Sequence, residues 1–276
     1  STPAGINSCT SNCNAEFAHG TSVSLAASAG SGFVFSGWSV SSGTCPLLGT
    51  CVVPMTLAKT VTATFTAVFD LTVNKNGAGT GTVTSTSSPS QTNLNCGPSC
   101  TRTFTTGTSV TLTAAPTDAN HTFTGWVVTP GPGGAGCSGT GTCVVAMNAA
   151  QTVTATFGLV DRLLTVNKVN GTGGTVTSVL AGINCGPTCS ANFPHGTSVT
   201  LYASPASGFA FTGWTSGPCT GTAPCSHTLI APTTVEATFT RIPYNLQVIA
   251  TGNGNGTVTS TSSPTQGTQI NCGSTC

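Results

Sequence analysis

The sequence predicts an all-β protein: tandem, disulfide-stapled, β-rich modules of about 88 residues, β-sandwich-like and set out as beads on a string. Three observations carry that prediction. Landmarks recur at a fixed distance: Trp38, Trp126 and Trp214 are 88 apart each time, and Cys9, Cys96, Cys185 and Cys272 follow at 87, 89 and 87. Apolar residues alternate with threonine, as in TVTATF (152–157), where Val153, Ala155 and Phe157 fall on one side; that is the period of a half-buried strand. Fourteen cysteines lie in close pairs, which points to an oxidising compartment, secreted or at the cell surface. A unit of ~88 residues can enclose a core of its own, whereas solenoid repeats of ~20–50 residues need neighbours to fold.

Taken in order, the chain opens inside a repeat. Residues 1–13 (STPAGINSCTSNC) match 264–276 (PTQGTQINCGSTC) and the stretches of the middle repeats that run through their first cysteine pair. A complete unit is expected to begin with a strand such as LTVNK (71–75), then a Gly-rich turn, then GTVTS (81–85). On this phase 1–69 is an incomplete repeat without its first two strands, 70–160 and 161–243 are complete, and 244–276 is the first part of a further repeat. LQVIA (246–250) and GTVTS (256–260) are the strand pair of that last part.

Within a repeat the signal is β throughout. SVTLTA (109–114) alternates Val110, Leu112 and Ala114 against threonines, and NGAGTG (76–81), TGTS (106–109) and NGTGG (170–174) mark turns. Threonine makes up about a fifth of the chain, and its branched hydroxyl suits the solvent face of strands. About seven short strands per unit are expected. No stretch carries a helical period; a short helical turn at 147–151, capped by Asn148, is the one exception allowed for. The expected core of the second repeat is Phe104, Val110, Leu112, Phe123, Trp126, Val144, Met147, Val153 and Phe157. Its counterparts are Phe17, Val23, Leu25, Phe35, Trp38, Val52, Met55, Val61 and Phe65 in the first, and Phe193, Val199, Leu201, Phe211, Trp214, Leu229, Val235 and Phe239 in the third.

Composition excludes several functions. Six Lys/Arg and five Asp/Glu leave a net charge of +1. Without a basic patch, nucleic-acid binding by phosphate neutralisation has no basis; without an acidic cluster, neither has a hard-cation site. No apolar run approaches the ~18 residues of a membrane span. No cofactor and no enzymatic activity are expected. His19 and His195, in AHGTS and PHGTS, precede a turn glycine, and Thr106 replaces them in the middle repeat, so they read as turn residues rather than catalysts. The acids Glu16, Asp70, Asp118, Asp161 and Glu236 form no recurring pair, unlike the carboxylates of a glycosidase.

The cysteines leave alternatives open. Local pairing, the economical one, joins Cys9 with Cys13, Cys45 with Cys51, Cys96 with Cys100, Cys137 with Cys143, Cys185 with Cys189, Cys219 with Cys225 and Cys272 with Cys276. Cross-pairing between the two sites of a repeat is the second option. A four-cysteine zinc site is the third, although structural zinc favours a two-residue knuckle that these spacings do not offer.

The series AGINCGPTCSANFPHGTSVTLYASPASGFAFTGW, then CTGTAPC, then TVEATF (181–239) resembles the divergent relatives of the internalin B-type B repeat. The likeness extends over essentially the whole chain, because INCG-x-x-C, GTSVTL, F-x-GW and TVTATF recur in order. It implies a bacterial extracellular β-rich module, related to the β-grasp type, serving as stalk, spacer or adhesive segment and without a shared active site. The first expectation is therefore a structural module of a filament, stalk or surface fibre. An adhesion or glycan-binding repeat, reading its ligand through loops such as 130–142, is the second, and a non-catalytic accessory region of a secreted hydrolase the third. Expected partners are neighbouring copies joined head to tail, and the cell surface or extracellular matrix. Within the first expectation, Leu246, Val248, Ala250 and Val258 are candidate self-assembly strand residues: the tail of one subunit can complete the 1–69 unit of the next by strand addition, and an open heterologous contact of that kind propagates a filament. Residues preceding Ser1 in a longer chain would supply the same strands.

Overall fold

A computed structural model of the protein describes residues 6, 9–97, 99–129, 137–169, 171, 173–186, 188–249, 251–254, 256–261 and 271–272. These form β-structure without helix, in two compact units, Ser1–Asp161 and Arg162–Cys276. In the first unit the strands are β1 (Ser22–Leu25), β2 (Phe33–Val40), β3 (Cys51–Pro54), β4 (Val61–Asn76), β5 (Gly81–Ser88) and β6 (Asn95–Cys96). They continue with β7 (Ser99–Thr105), β8 (Thr108–Pro116), β9 (His121–Thr129), β10 (Cys143–Met147) and β11 (Gln151–Leu159). The second unit is built from β12 (Asp161–Val169), β13 (Gly174–Ser178), β14 (Thr188–Pro194), β15 (Ser198–Pro205), β16 (Phe209–Ser216), β17 (Cys225–Thr228) and β18 (Thr233–Arg241), followed by the short pair β19 (Val258–Thr259) and β20 (Asn271–Cys272).

Each complete repeat is two sheets around one core. In the middle repeat one sheet carries β7, the second half of β4, β11 and β9, and the other runs β10-β8-β5-β6. Period-2 alternation sends one face of every strand inward: Leu71, Val73, Val83, Phe104, Val110, Leu112, Val145, Met147, Val153, Ala155 and Phe157 form one buried cluster with Trp126 against it. The threonines between them stay on the solvent faces. The third repeat repeats the plan, with β14-β12-β18-β16 facing β13-β15-β17 around Leu164, Val166, Val176, Phe193, Val199, Leu201, Trp214, Val235 and Phe239. One pair in each is parallel, β4 with β11 and β12 with β18.

Two details differ from the sequence expectation. Val144 and Val52 point to solvent, and Val145 and Val53 fill the core instead. The reason is the half-cystine: Cys143 and Cys51 face inward with nothing exposed, and strand alternation then turns the next residue out and the one after it in. The helical turn at 147–151 is absent. β10 runs through Met147, Asn148 N–H bonds back to the carbonyl of Ala146, and β11 starts at Gln151.

The F-x-GW motif is a β-bulge. The register of β9 against β11 shifts beside Gly125, and β2 and β16 shift beside Gly37 and Gly213. Gly125 has φ +145°, and a Cβ there would meet the Gly139 carbonyl at 3.2 Å. The bulge therefore needs glycine both for its backbone conformation and for the close approach of the disulfide loop.

Candidate assembly interface

The strand pair that opens a complete repeat closes its core. In the middle repeat Val73 lies opposite Val153 and Lys75 opposite Ala155 in the parallel pair, and Val83 opposite Ala114 and Ser85 opposite Leu112 in the antiparallel one. The third repeat repeats this register, with Val166 opposite Val235 and Val176 opposite Ala203. A lysine ties the two strands together: Lys75 Nζ donates to the Gly81 carbonyl at 2.7 Å, and Lys168 Nζ to that of Gly174 at 2.5 Å. Gly81 then lies flat on the Phe157 ring, where an added Cβ would stand 2.0 Å from a ring carbon. The turn, the lysine and the phenylalanine form one closed corner.

In the first repeat that corner is open. Among the described residues, Val61–Ala67 of β4 pairs on one side only, with β2, and β1 pairs only with β3. Phe65, the counterpart of Phe157 and Phe239, is 42 % exposed, against 1 % and 3 % for those two. Phe17, Val23, Leu25, Trp38 and Val61 are only half-buried, although their counterparts in the other repeats are buried. The aromatic scaffold is nevertheless in place. Phe35 sits 5.1 Å from Trp38 and 5.6 Å from Phe65, centroid to centroid, close to the 4.9 and 5.4 Å of Phe123 with Trp126 and Phe157. The open repeat is thus a shaped apolar face rather than an unfolded one.

The tail repeats the sequence of that strand pair, with its apolar residues largely exposed. Residues 242–249 form no strand, and Leu246 is 73 % exposed where its counterpart Leu71 is fully buried. Val248 is half-buried and Val258 exposed. Ala250 lies outside the described residues.

Around these faces the cysteines are joined locally: Cys9–Cys13, Cys45–Cys51, Cys96–Cys100, Cys137–Cys143, Cys185–Cys189 and Cys219–Cys225. Cys276, the expected partner of Cys272, lies outside the described residues. The second disulfide loop of each repeat accepts the tryptophan indole N–H: Trp38 donates to Gly49, Trp126 to Gly141 and Trp214 to Ala223, all at 2.7 Å. This fastener leaves no trace in the spacing of the sequence, since Trp38, Trp126 and Trp214 stand at three different distances from Cys45, Cys137 and Cys219. Sequence inspection also missed the amide of Gln91, which donates to Thr105 and Thr108 across the closing loop.

His121 Nε2 lies 3.8 Å from Asp118 Oδ2. His121 Nδ1 accepts the Thr80 N–H at 2.9 Å, and His195 Nδ1 accepts from Arg162 Nε at 3.5 Å. Asp70 accepts a hydrogen bond from Thr103. Among the described residues no group of three or more His, Cys, Asp or Glu could hold a metal ion, and no helix is long and apolar enough to cross a membrane.

These features define a class, a tandem two-sheet β repeat whose loops are stapled by local disulfides. The chain belongs to the divergent InlB B-repeat domain family, whose model matches residues 1–69 and 164–243, more than half of the chain. The stretch between the two matches repeats the same landmarks. No curated protein matches the sequence. Among solved structures, the Bacillus anthracis TIE protein is similar at 10 % identity and a TM-score of 0.38, over 71 % of this chain and 39 % of that one. This chain therefore spans about two fifths of that protein's length. A C-terminal fragment of the pilus adhesin SpaC from Lactobacillus rhamnosus GG aligns at 10 % identity and a TM-score of 0.31, over 64 % of this chain and 100 % of the fragment. The major pilin T-13 of Streptococcus pyogenes aligns at 11 % identity and a TM-score of 0.28, over 64 % and 98 %.

Proposed function

We propose that this chain is a structural module of a bacterial extracellular filament, stalk or surface fibre, and that copies join by strand complementation between the 244–276 tail and the 1–69 unit. The observation that carries the reading is the pairing of an open core with an exposed strand set of the same repeat: Phe65 uncovered in the first repeat, Leu246 uncovered in the tail. Apolar residues left in water on both sides supply a driving force for their union, and unpaired strand edges supply the direction.

Local disulfides and a family of extracellular repeats support a location outside the cell. The function is mechanical. With a charged fraction of 4 %, against about 25 % in ordinary domains, the surface offers little repulsion to close packing of copies. The first junction is stiff, because β4 runs without a break from the first repeat into the second: Val68 N–H bonds to the Gly32 carbonyl, and Thr106 N–H to that of Ala67.

Electron microscopy of the purified chain tests the reading. The full chain should form filaments, and a chain ending at Pro243 should stay dispersed. That truncation leaves the core of the third repeat whole, since its last buried member is Phe239. Filaments of normal length from the truncated chain would rule out the tail as the connector.

A further inference from the structure

We propose that Asn76 is a site of spontaneous covalent modification. Its side-chain amide condenses with the backbone nitrogen of Gly77 to a succinimide, water opens the ring to isoaspartate or aspartate, and the isoaspartate form unlocks the closed corner of the middle repeat. The modification acts within one closed repeat and is independent of how copies join.

The fold brings the reacting groups together. Asn76 ends β4, with its backbone in register opposite Thr156, and Gly77 N–H donates to Asn76 Oδ1 at 2.7 Å. The electrophilic Cγ is one bond from that oxygen, so nucleophile and amide carbon are held side by side before reaction. Gly77 has no Cβ to shield its nitrogen, and at φ +96° it takes a backbone conformation that residues with side chains rarely adopt. Both residues are exposed, so water and hydroxide reach them. Asn148, Asn184 and Asn192 lack this opening, because Ala149, Cys185 and Phe193 follow them.

Gly77 N passes its proton to hydroxide and bonds to Cγ, while Nδ2 takes a proton from water and leaves as ammonia. Water then adds to the imide. Addition at Cγ breaks the new C–N bond and leaves aspartate. Addition at the main-chain carbonyl carbon of Asn76 breaks the original peptide C–N bond and leaves isoaspartate, in which the chain runs on through Cβ and Cγ. The sum is one water consumed and one ammonia released, with no change of oxidation state.

The turn that follows has no room for the longer chain. A Cβ on Gly77 would stand 2.1 Å from the Phe157 carbonyl oxygen, and one on Gly79 2.1 Å from that of Gly158. Gly79 N–H bonds to the Phe157 carbonyl at 2.9 Å, and Thr80 N–H to His121 Nδ1 at 2.9 Å. Isoaspartate adds one methylene to the main chain between β4 and this close-packed turn, so the turn must lift from Phe157. Aspartate keeps the chain length and leaves the turn seated. The reaction is a one-way release of the strand pair β4 and β5.

Peptide mapping tests the site. The full chain is held at mildly alkaline pH, and each asparagine is followed by mass spectrometry with fragmentation that separates isoaspartate from aspartate. Asn76 should convert well before Asn148, Asn184 and Asn192, give both products, and react faster as pH rises, because Gly77 N must lose its proton. The folded chain should convert Asn76 at least as fast as the same chain unfolded in guanidinium chloride. Slower conversion in the folded chain overturns the proposal, and so does aspartate without isoaspartate, which a succinimide does not give. Hydrogen exchange reads the consequence. In the aged chain the amides of Gly79 and Thr80 should exchange roughly tenfold or more faster in the isoaspartate-bearing fraction, while an Asn76→Gln chain aged alongside should keep them protected. Equal exchange in the two aged chains overturns the release of the turn and leaves the modification standing.

Discussion

Alanine in place of Phe157 and of Phe65 separates a closed repeat from an open one. The two residues hold the same place in TVTATF and meet the same aromatic neighbour, at 5.4 Å from Phe123 and 5.6 Å from Phe35. They differ in cover, 1 % exposed against 42 %. Deleting a fully buried phenylalanine costs about 3–5 kcal/mol through lost burial and the cavity left behind. Phe157→Ala should fall in that range. Phe65→Ala in the dispersed chain should cost about half as much, roughly 2 kcal/mol, because nearly half of its surface is already in water. Native-state hydrogen exchange in increasing urea, read peptide by peptide, gives the local opening energy of β2 for one variant and of β9 and β11 for the other. Equal losses from the two variants in the dispersed chain would show that the first repeat is already closed, and would remove the physical basis for strand complementation.

Further expectations concern the repeat itself. Gly81→Ala drives a methyl into the Phe157 ring and should destabilise the middle repeat by about 1–3 kcal/mol, while Gly97→Ala, with open space around it, should change little; urea midpoints compare the two. Replacing Cys137 and Cys143 together by serine should cost about 2 kcal/mol for the small loop released and red-shift Trp126 emission, as its indole loses the Gly141 carbonyl. Val145→Thr should cost about 1–3 kcal/mol by burying an unpaired hydroxyl, and Val144→Thr close to nothing, because Val144 is 53 % exposed; thermal unfolding separates them. Lys75→Met removes the bond to Gly81 and should speed exchange in the 76–81 turn, with a loss of about 1–2 kcal/mol.

Much of the architecture was legible because it repeats. One tryptophan every 88 residues, TVTATF and paired cysteines fix an all-β tandem fold by period alone. What the pattern could not decide was local facing. In CVVAM both valines suit a strand, and only the inward half-cystine at Cys143 decides that Val145 goes in. Strand partners were equally hidden: a parallel pair of β4 with β11 joins segments about 80 residues apart and leaves no local mark. The fusion of two repeats through β4 left no mark either: Asp70 sits mid-strand, hydrogen-bonded to Thr103. The indole-to-loop bond escaped because a backbone carbonyl has no residue signature. For the candidate interface the recurrence of the LTVNK and GTVTS pair at 246–260 was legible in the sequence; the exposure of Phe65 and Leu246 was not.

The most direct measurement is a map of the filament at side-chain resolution, inspected beside the first half of β4. A strand should run parallel to Val61–Val68, carrying Leu246, Val248 and Ala250 and tracing back to Pro243 of a neighbouring copy. A strand there of any other sequence, or one continuous with Ser1 of the same chain, would contradict strand complementation as the way one repeat array joins the next.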